Sequence, residues 1–204
     1  MYIDLSELSE SQVYFTMTQT VIPRPIAWVL SENKSGSFNL APFSYFNAVC
    51  SDPPLVMISV GRKPDGSFKD TLVNIEQRRD FVIHIVSKSL LGPMNQSSAT
   101  LPAEESELDL IGLQTAPMPG CRLPRLIDAR IAFACECYEI HKIGSIPQSL
   151  ILGKMSGIYV NDEVVEADAK GRTRVNAELV DPLGRLGASE YVSFGEKIRL
   201  PRPD

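Results

Sequence analysis

The chain has 204 residues and a formal net charge of −5, with 44% hydrophobic and 22% charged residues. That is enough chain, in an ordinary soluble balance, for one domain over residues 1–204 with a sizeable core. An acidic balance argues against unspecific nucleic-acid binding, which needs clustered Lys and Arg against phosphates, and no apolar run approaches the roughly 18 residues of a membrane-spanning helix.

Cysteine and histidine usage narrows the chemistry further. Cys50, Cys121, Cys135 and Cys137 form no Cys-x-x-Cys pair, and with only two histidines no metal site is expected. The opening Met1 to Tyr14 is acidic and lacks the apolar stretch of a secretory leader. The expectation is a reduced, cytoplasmic protein.

In chain order, residues 4–15 read as a short helix with Ser9 or Ser11 as its cap. Pro23 and Pro25 bracket Arg24 and hold the approach to the first strand extended. Ile26 to Leu30 then reads as a strand, and the turn residues Glu32 to Gly36 send Ser37 to Leu40 back as a hairpin. The segment Phe43 to Cys50 mixes aromatic and polar residues. Its aromatics suit a core, but Ser44 and Asn47 would need hydrogen-bond partners there. Leu55 to Val60 reads as a strand buried on both faces.

The loop from Gly61 through Asp65-Gly66-Ser67 to Lys69-Asp70-Thr71 leads from that strand into a helix. A strand, a basic Gly-containing loop and a helix start together make a recipe for holding a phosphate. Ser67 and Asp70 have the spacing of a capping box, so Asp70 is read as a cap or as the partner of a nearby Arg. Lys69 would bring charge to a phosphate and Thr71 a hydroxyl donor; the plain alternative is a capped surface helix.

Phe81 to Val86 reads as another strand, with His84 on the face opposite Ile83 and Ile85 and in a structural role. Leu90 to Ala99 and Glu104 to Ile111 read as short helical insertions. Ala129 to His141 is a long alternating strand with Ile131, Phe133, Cys135 and Cys137 on one face and Ala132, Ala134, Glu136, Tyr138 and Ile140 on the other. Leu150 to Val160 returns, bent at Gly153 and Gly157 as in a curving barrel. Glu166 to Arg174 is charged and exposed, and the Gly- and Pro-rich tail from Asp181 follows a surface. The sum is a mainly β fold, a small antiparallel barrel with short helical insertions.

No Gly-x-Ser-x-Gly, His-Glu-x-x-His, Walker or Gly-x-Gly-x-x-Gly motif occurs. What remains is a pocket of amides, hydroxyls and one basic loop, which suits a flat phosphorylated cofactor that carries the chemistry itself.

Five separated motifs carry a resemblance. They are Pro23 to Ala27, Asn39 to Asn47, Ser51 to Val56, Lys69 to Ile75 and Pro182 to Gly187. Over residues 15–203 the chain resembles the flavin reductase-like family of FMN-binding split barrels, in its flavoredoxin-type branch. The resemblance implies an antiparallel split β-barrel, a homodimer, and FMN held non-covalently near the subunit interface. It implies that Asn39, Ala41, Pro42, Ser44 and Asn47 lie along the isoalloxazine ring and ribityl chain. Ser59, Gly61 and Arg62 would follow the ribityl-phosphate, with Lys69 and Thr71 on the phosphate. Where many flavin reductases of this fold carry Gly-Asp-His, this chain has Gly144-Ser145-Ile146. The implied activity is an oxidoreductase fed by NADH, NADPH or a protein donor, with no catalytic residue assigned. The alternatives are an electron carrier or flavin store without turnover, and a domain that kept the fold and lost the ligand.

Overall fold

The computed structural model describes every residue except Ala169, Arg202 and Asp204. Helix α1 (Glu10–Thr20) starts at Ser9, where a reciprocal capping box forms: Ser9 Oγ accepts from the Gln12 N–H and the Gln12 side chain accepts from the Ser9 N–H. Of its residues Thr18 alone is buried, while Tyr14, Phe15 and Met17 stand exposed.

The strands then follow as β1 (Arg24–Pro25), β2 (Ala27–Glu32), β3 (Phe38–Phe43), β4 (Phe46–Ser51) and β5 (Pro54–Val60). After α2 (Asp70–Arg78) and β6 (Asp80–Ile85) come the insertions α3 (Leu91–Gln96) and α4 (Glu107–Ile111), with the short pair β7 (Thr115–Ala116) and β8 (Arg125–Leu126). The long hairpin β9 (Ile131–Ile143) and β10 (Gln148–Val160) follows, then an exposed hairpin β11 (Val165–Ala167) and β12 (Thr173–Val175). The tail carries α5 (Ala177–Val180), β13 (Gly184–Arg185) and β14 (Tyr191–Val192). It runs over the chain's own surface: β13 pairs with β1, and Leu183 N–H donates to Val86 O at 2.9 Å.

Seven antiparallel strands form the main sheet in the order β3-β2-β6-β9-β10-β5-β4. Its edges, β3 and β4, are separated in sequence by Ser44 and Tyr45 alone, yet they do not pair. The sheet therefore bends until its edges share a corner and stays open beyond it, the arrangement of a split barrel. Strand β2 is buried on both faces. Ala27 and Val29 join an inner core with Phe43, Ile58, Leu72, Ile75 and Phe81, whereas Trp28 and Leu30 join an outer one with Met94, Leu108 and Leu126. Helix α2 thus packs inside, and α3 and α4 cover the outside.

Three expectations are refined. Strand β5 buries Leu55, Val56, Ile58 and Val60, but Met57 and Ser59 stay partly open, leaving Ser59 at a cavity rim. On β9, Phe133, Cys135 and Cys137 do share the inner core, and Ala132 and Ala134 the outer. Ile140, expected beside Ala134, packs inside instead. The pairing with β10 skips Tyr138, and one extra residue in a ladder reverses the side-chain alternation beyond it. At Gly153 a Cβ would sit 2.5 Å from Phe81 Cζ, so this glycine is required by close packing as well as by the bend.

His84 is structural, as expected. It is fully buried, with Nδ1 at 3.0 Å from Trp28 O and Nε2 accepting from the Leu126 N–H at 3.0 Å. Those partners fit the neutral ring with its proton on Nδ1, and burial pulls the pKa from 6.5 to about 4.

Candidate functional site

The loop after β5 is a tight hairpin. Lys63 N–H donates to Ser67 O and Gly66 N–H to Lys63 O, each at 2.9 Å, with Gly66 at φ +84° where a side chain would be strained. The expected capping box does not form. Asp65 is closer in sequence and takes both the Ser67 N–H (2.9 Å) and the Ser67 hydroxyl (2.7 Å). The cap position of α2 falls to Lys69, which makes no side-chain cap. Asp70 is neither a cap nor the partner of an arginine: it pairs with Lys63 at 2.8 Å.

Lys69 is thereby left as a half-buried ammonium with no acidic partner among the described residues. It stands at the start of a helix, 5.4 Å from the Phe43 ring centroid. Burial lowers its pKa, because the charged form loses water that nothing in the chain replaces. The first N–H groups of α2 have no intrahelical acceptor and add to the positive potential there.

Lys69 lies where two cavities meet. The larger, about 800 Å3, is walled by Val13, Tyr14 and Met17 of α1, by Pro42 to Tyr45, by Ser59, Gly61 and Arg62, and by Gly144 and Gln148 of the β9–β10 turn. The smaller, about 80 Å3, is walled by Asn39, Ala41, Lys63, Thr71, Ser98, Thr100 and Glu107; Pro42 and Lys69 line both.

The structure thus brings Asn39, Ala41, Pro42, Ser44, Ser59, Gly61, Arg62, Lys69 and Thr71 around two adjoining spaces. Asn47 stands apart. It is exposed on β4 with its side-chain oxygen accepting from the Ala48 N–H, and it lines neither cavity. Arg62 folds onto its own loop, donating to Gly66 O at 2.8 Å and stacking 4.4 Å over Phe68.

Asn39 and Thr71 face each other beneath the smaller cavity. Asn39 Nδ2 donates to Thr71 Oγ1 at 2.9 Å and to Ser31 Oγ at 3.3 Å. Asn74 Nδ2 donates to the same Ser31 Oγ (3.2 Å) and to Asn33 Oδ1 (2.8 Å). This buried network pins α2 to the β2–β3 hairpin. Thr71 accepts in it, so its own hydroxyl hydrogen stays available to a ligand.

Sequence reasoning missed Gln148, Tyr14, Ser98 and Thr100, which reach the site from elements far away in the chain. It also passed over Arg24, which is 5% exposed and clamps three segments. Arg24 donates to Thr18 O (2.7 Å), Val21 O (2.6 Å) and Leu186 O (2.8 Å), with Nε 3.4 Å from Ser44 Oγ. Two flanking prolines were its only local signal.

An open antiparallel barrel with a cavity at its rim, amide and apolar walls and a cation at one end defines a class of ligand-holding split barrels. Comparison with known proteins gives the particular family. Residues 17–177 match the flavin reductase like domain family, and the chain belongs to it. Nitrilotriacetate monooxygenase component B from Bacillus cereus superposes with a TM-score of 0.90 at 34% identity, covering 98% of each chain. The 2-nitrobenzoate 2-nitroreductase of Pseudomonas fluorescens gives 0.88 at 33% identity, covering 100% of this chain and 96% of its own. A Shewanella frigidimarina protein with a split barrel domain gives 0.83 at 20% identity over the full length of both chains, which shows the shared fold.

Proposed function

We propose that this chain is an FMN-dependent oxidoreductase of the flavin reductase-like kind. Electrons would pass from NADH, NADPH or a protein donor to an acceptor through non-covalently held FMN. The observation that carries the reading is Lys69, the half-buried ammonium at the start of α2 with no acid paired to it among the described residues. A phosphate there would accept from Lys69 and from the Thr71 hydroxyl, the charge-assisted kind of hydrogen bond that counts most.

Of the acids that line the two cavities, Asp70 is matched by Lys63, the Glu107 carboxyl accepts from the Leu40 N–H, and Glu10 stands exposed at the start of α1. The larger cavity, about 800 Å3, falls within the range of roughly 300–1,000 Å3 that cofactor and ligand sites occupy. Its walls at Pro42 to Tyr45 offer backbone groups and apolar surface to a flat ring, and Ser59 and Gly61 offer polar groups along the ribityl-phosphate. FMN when bound would supply the hydride and electron chemistry, and the chain would supply position and electrostatics.

The same reading takes residues 1–204 as one cytoplasmic domain acting as a homodimer. Its support is the exposed edge β4 and the exposed aromatics of α1, which a second copy would cover; Asn47 would meet a flavin only across such a contact. Among the described residues no helix is long and apolar enough to cross a membrane. A second reading, an electron carrier or flavin store without nicotinamide turnover, is favoured by one observation. The Gly144-Ser145-Ile146 turn edges the larger cavity and offers it no histidine.

A visible spectrum of purified protein mixed with FMN tests the first step: flavin bands that stay with the protein on gel filtration are expected. Protein that takes up no flavin would sink both readings. Anaerobic addition of NADH or NADPH then separates them, because bleaching by either donor supports the reductase and its absence with both supports the carrier.

A further inference from the structure

A third cavity, about 290 Å3, lies behind Pro42 and Ser44, between α1, α3 and the turn from β13 to β14. Among the described residues its charged lining is two guanidiniums, Arg24 and Arg185, with no carboxylate. Arg24 is 95% shielded and brings a guanidinium charge to the cavity. Four of its five N–H donors go to three backbone carbonyls and one hydroxyl. Neutral oxygens solvate that charge without cancelling it. Buried charge is normally paired, so an uncancelled one facing a cavity marks a place for an anion.

Arg185 adds the second cation. Its guanidinium lies 4.4 Å over the Tyr191 ring and donates to the Ala188 carbonyl, and no acid pairs with it among the described residues. The turn that carries it is held in place. Gly187 lies against the Gln19 side chain so closely that a Cβ would come within 2.2 Å, and Ala188 sits at φ +48°. The remaining walls include Tyr14, Phe15 and Met94, which are aromatic or apolar. A volume near the lower end of ligand pockets suits one ring.

We propose that this cavity binds a small aromatic monocarboxylate, with the carboxylate toward Arg185 and Arg24 and the ring against Tyr14, Phe15 and Met94. The Arg185 fork matches a carboxylate in shape as well as charge, Arg24 adds charge and its one remaining N–H, and the faces of Tyr14 and Phe15 match a ring. Tyr14, Pro42 and Ser44 line both this cavity and the larger one, so a ligand here adjoins the space assigned to the flavin. Its use as a partner in electron transfer rests on the flavin reading; its binding does not.

The test is calorimetric titration of the full chain with benzoate and with neutral benzamide, with and without FMN present. Benzoate should bind about tenfold or more tightly than benzamide, as expected for a charge-assisted pair. Arg185→Gln should reduce benzoate to the benzamide level while FMN uptake and the melting temperature stay as in the parent. Arg185→Lys, which keeps the charge, should recover part of the loss. Arg24 is unsuitable for this purpose because it clamps the fold. Equal binding of benzoate and benzamide, no binding of either, an unchanged Arg185→Gln, or displacement of benzoate by FMN would each overturn the proposal. Protein that takes benzoate but no FMN would refute the flavin reading alone, and protein that takes FMN but no benzoate would refute this inference alone.

Discussion

The underside and the rim of α2 treat polar groups in opposite ways. Beneath the helix, Asn39, Ser31, Asn74, Asn33 and Thr71 form a buried network in which each side chain has a partner in the chain. At its start, Lys69 is half-buried, burial lowers its pKa, and no acid pairs with it among the described residues. Partnered groups fix where the helix lies. The unpartnered one faces cavities, and desolvating it without a partner makes sense as preparation for something that arrives later.

If partnered polar groups hold the fold in general, the largest loss of stability comes from the one with most partners, Arg24, which lies away from α2. Arg24→Met should cost the most, about 4 kcal/mol, because the buried Thr18 carbonyl and the part-buried Val21 and Leu186 carbonyls lose their donor at about 1–3 kcal/mol for each group left bare. Urea denaturation reads this directly. A loss under about 1 kcal/mol would mean that the clamp is replaced by water and carries little.

His84 gives the next effect, and its sign follows from its lowered pKa. The fold holds the ring neutral down to about pH 4, whereas an unfolded chain protonates it near 6.5. Its contribution is complete above pH 6.5 and drains away as the pH falls toward 4, by about 3 kcal/mol in all. Denaturation midpoints between pH 6.5 and 5, above the ordinary carboxylate range, should fall in the parent and stay nearly flat in His84→Gln. Parallel pH profiles would show that the ring is reached by solvent or otherwise paired.

The smallest effect is a near-absence. Ser67→Ala should change stability by less than about 0.5 kcal/mol, since Ser67 bonds Asp65 within an exposed turn and does not cap α2. A loss of about 1 kcal/mol, the usual worth of a cap, would mean that the capping box forms in solution.

These contrasts also explain what could be read from the chain alone. The strands β2, β5, β6, β9 and β10 were legible because alternation and both-face burial are local patterns; the first helix was expected over residues 4–15 with Ser9 or Ser11 as cap, and the Ser9–Gln12 capping box sets it instead at Glu10–Thr20. Gly153 was flagged as a bend, but its contact with Phe81 is a matter of packing between strands. The place of Ile140 depended on a bulge at Tyr138 that no composition signals. At the site, Lys69 and Thr71 were visible in a strand-loop-helix pattern, and Pro42 and Ser44 through a family motif. Asp70 was misjudged because two rival partners, Lys63 for the carboxylate and Asp65 for Ser67, lie within the same few residues, and the turn at Gly66 decides between them. Gln148 and Ser98 join the site, and Arg24 the cavity beside it, only through long-range folding.

Whether Lys69 is kept free for the phosphate of FMN can be read from a cycle of four affinities. FMN and riboflavin, which lacks the phosphate, are titrated into the parent and into Lys69→Ala, following the quenching of flavin fluorescence. The parent should prefer FMN, and Lys69→Ala should lose about 1–3 kcal/mol toward FMN, roughly 5- to 150-fold, and almost nothing toward riboflavin. The variant should keep the parent's melting temperature. Equal losses for both flavins, or an FMN preference that survives the substitution, would place the phosphate elsewhere and contradict the account.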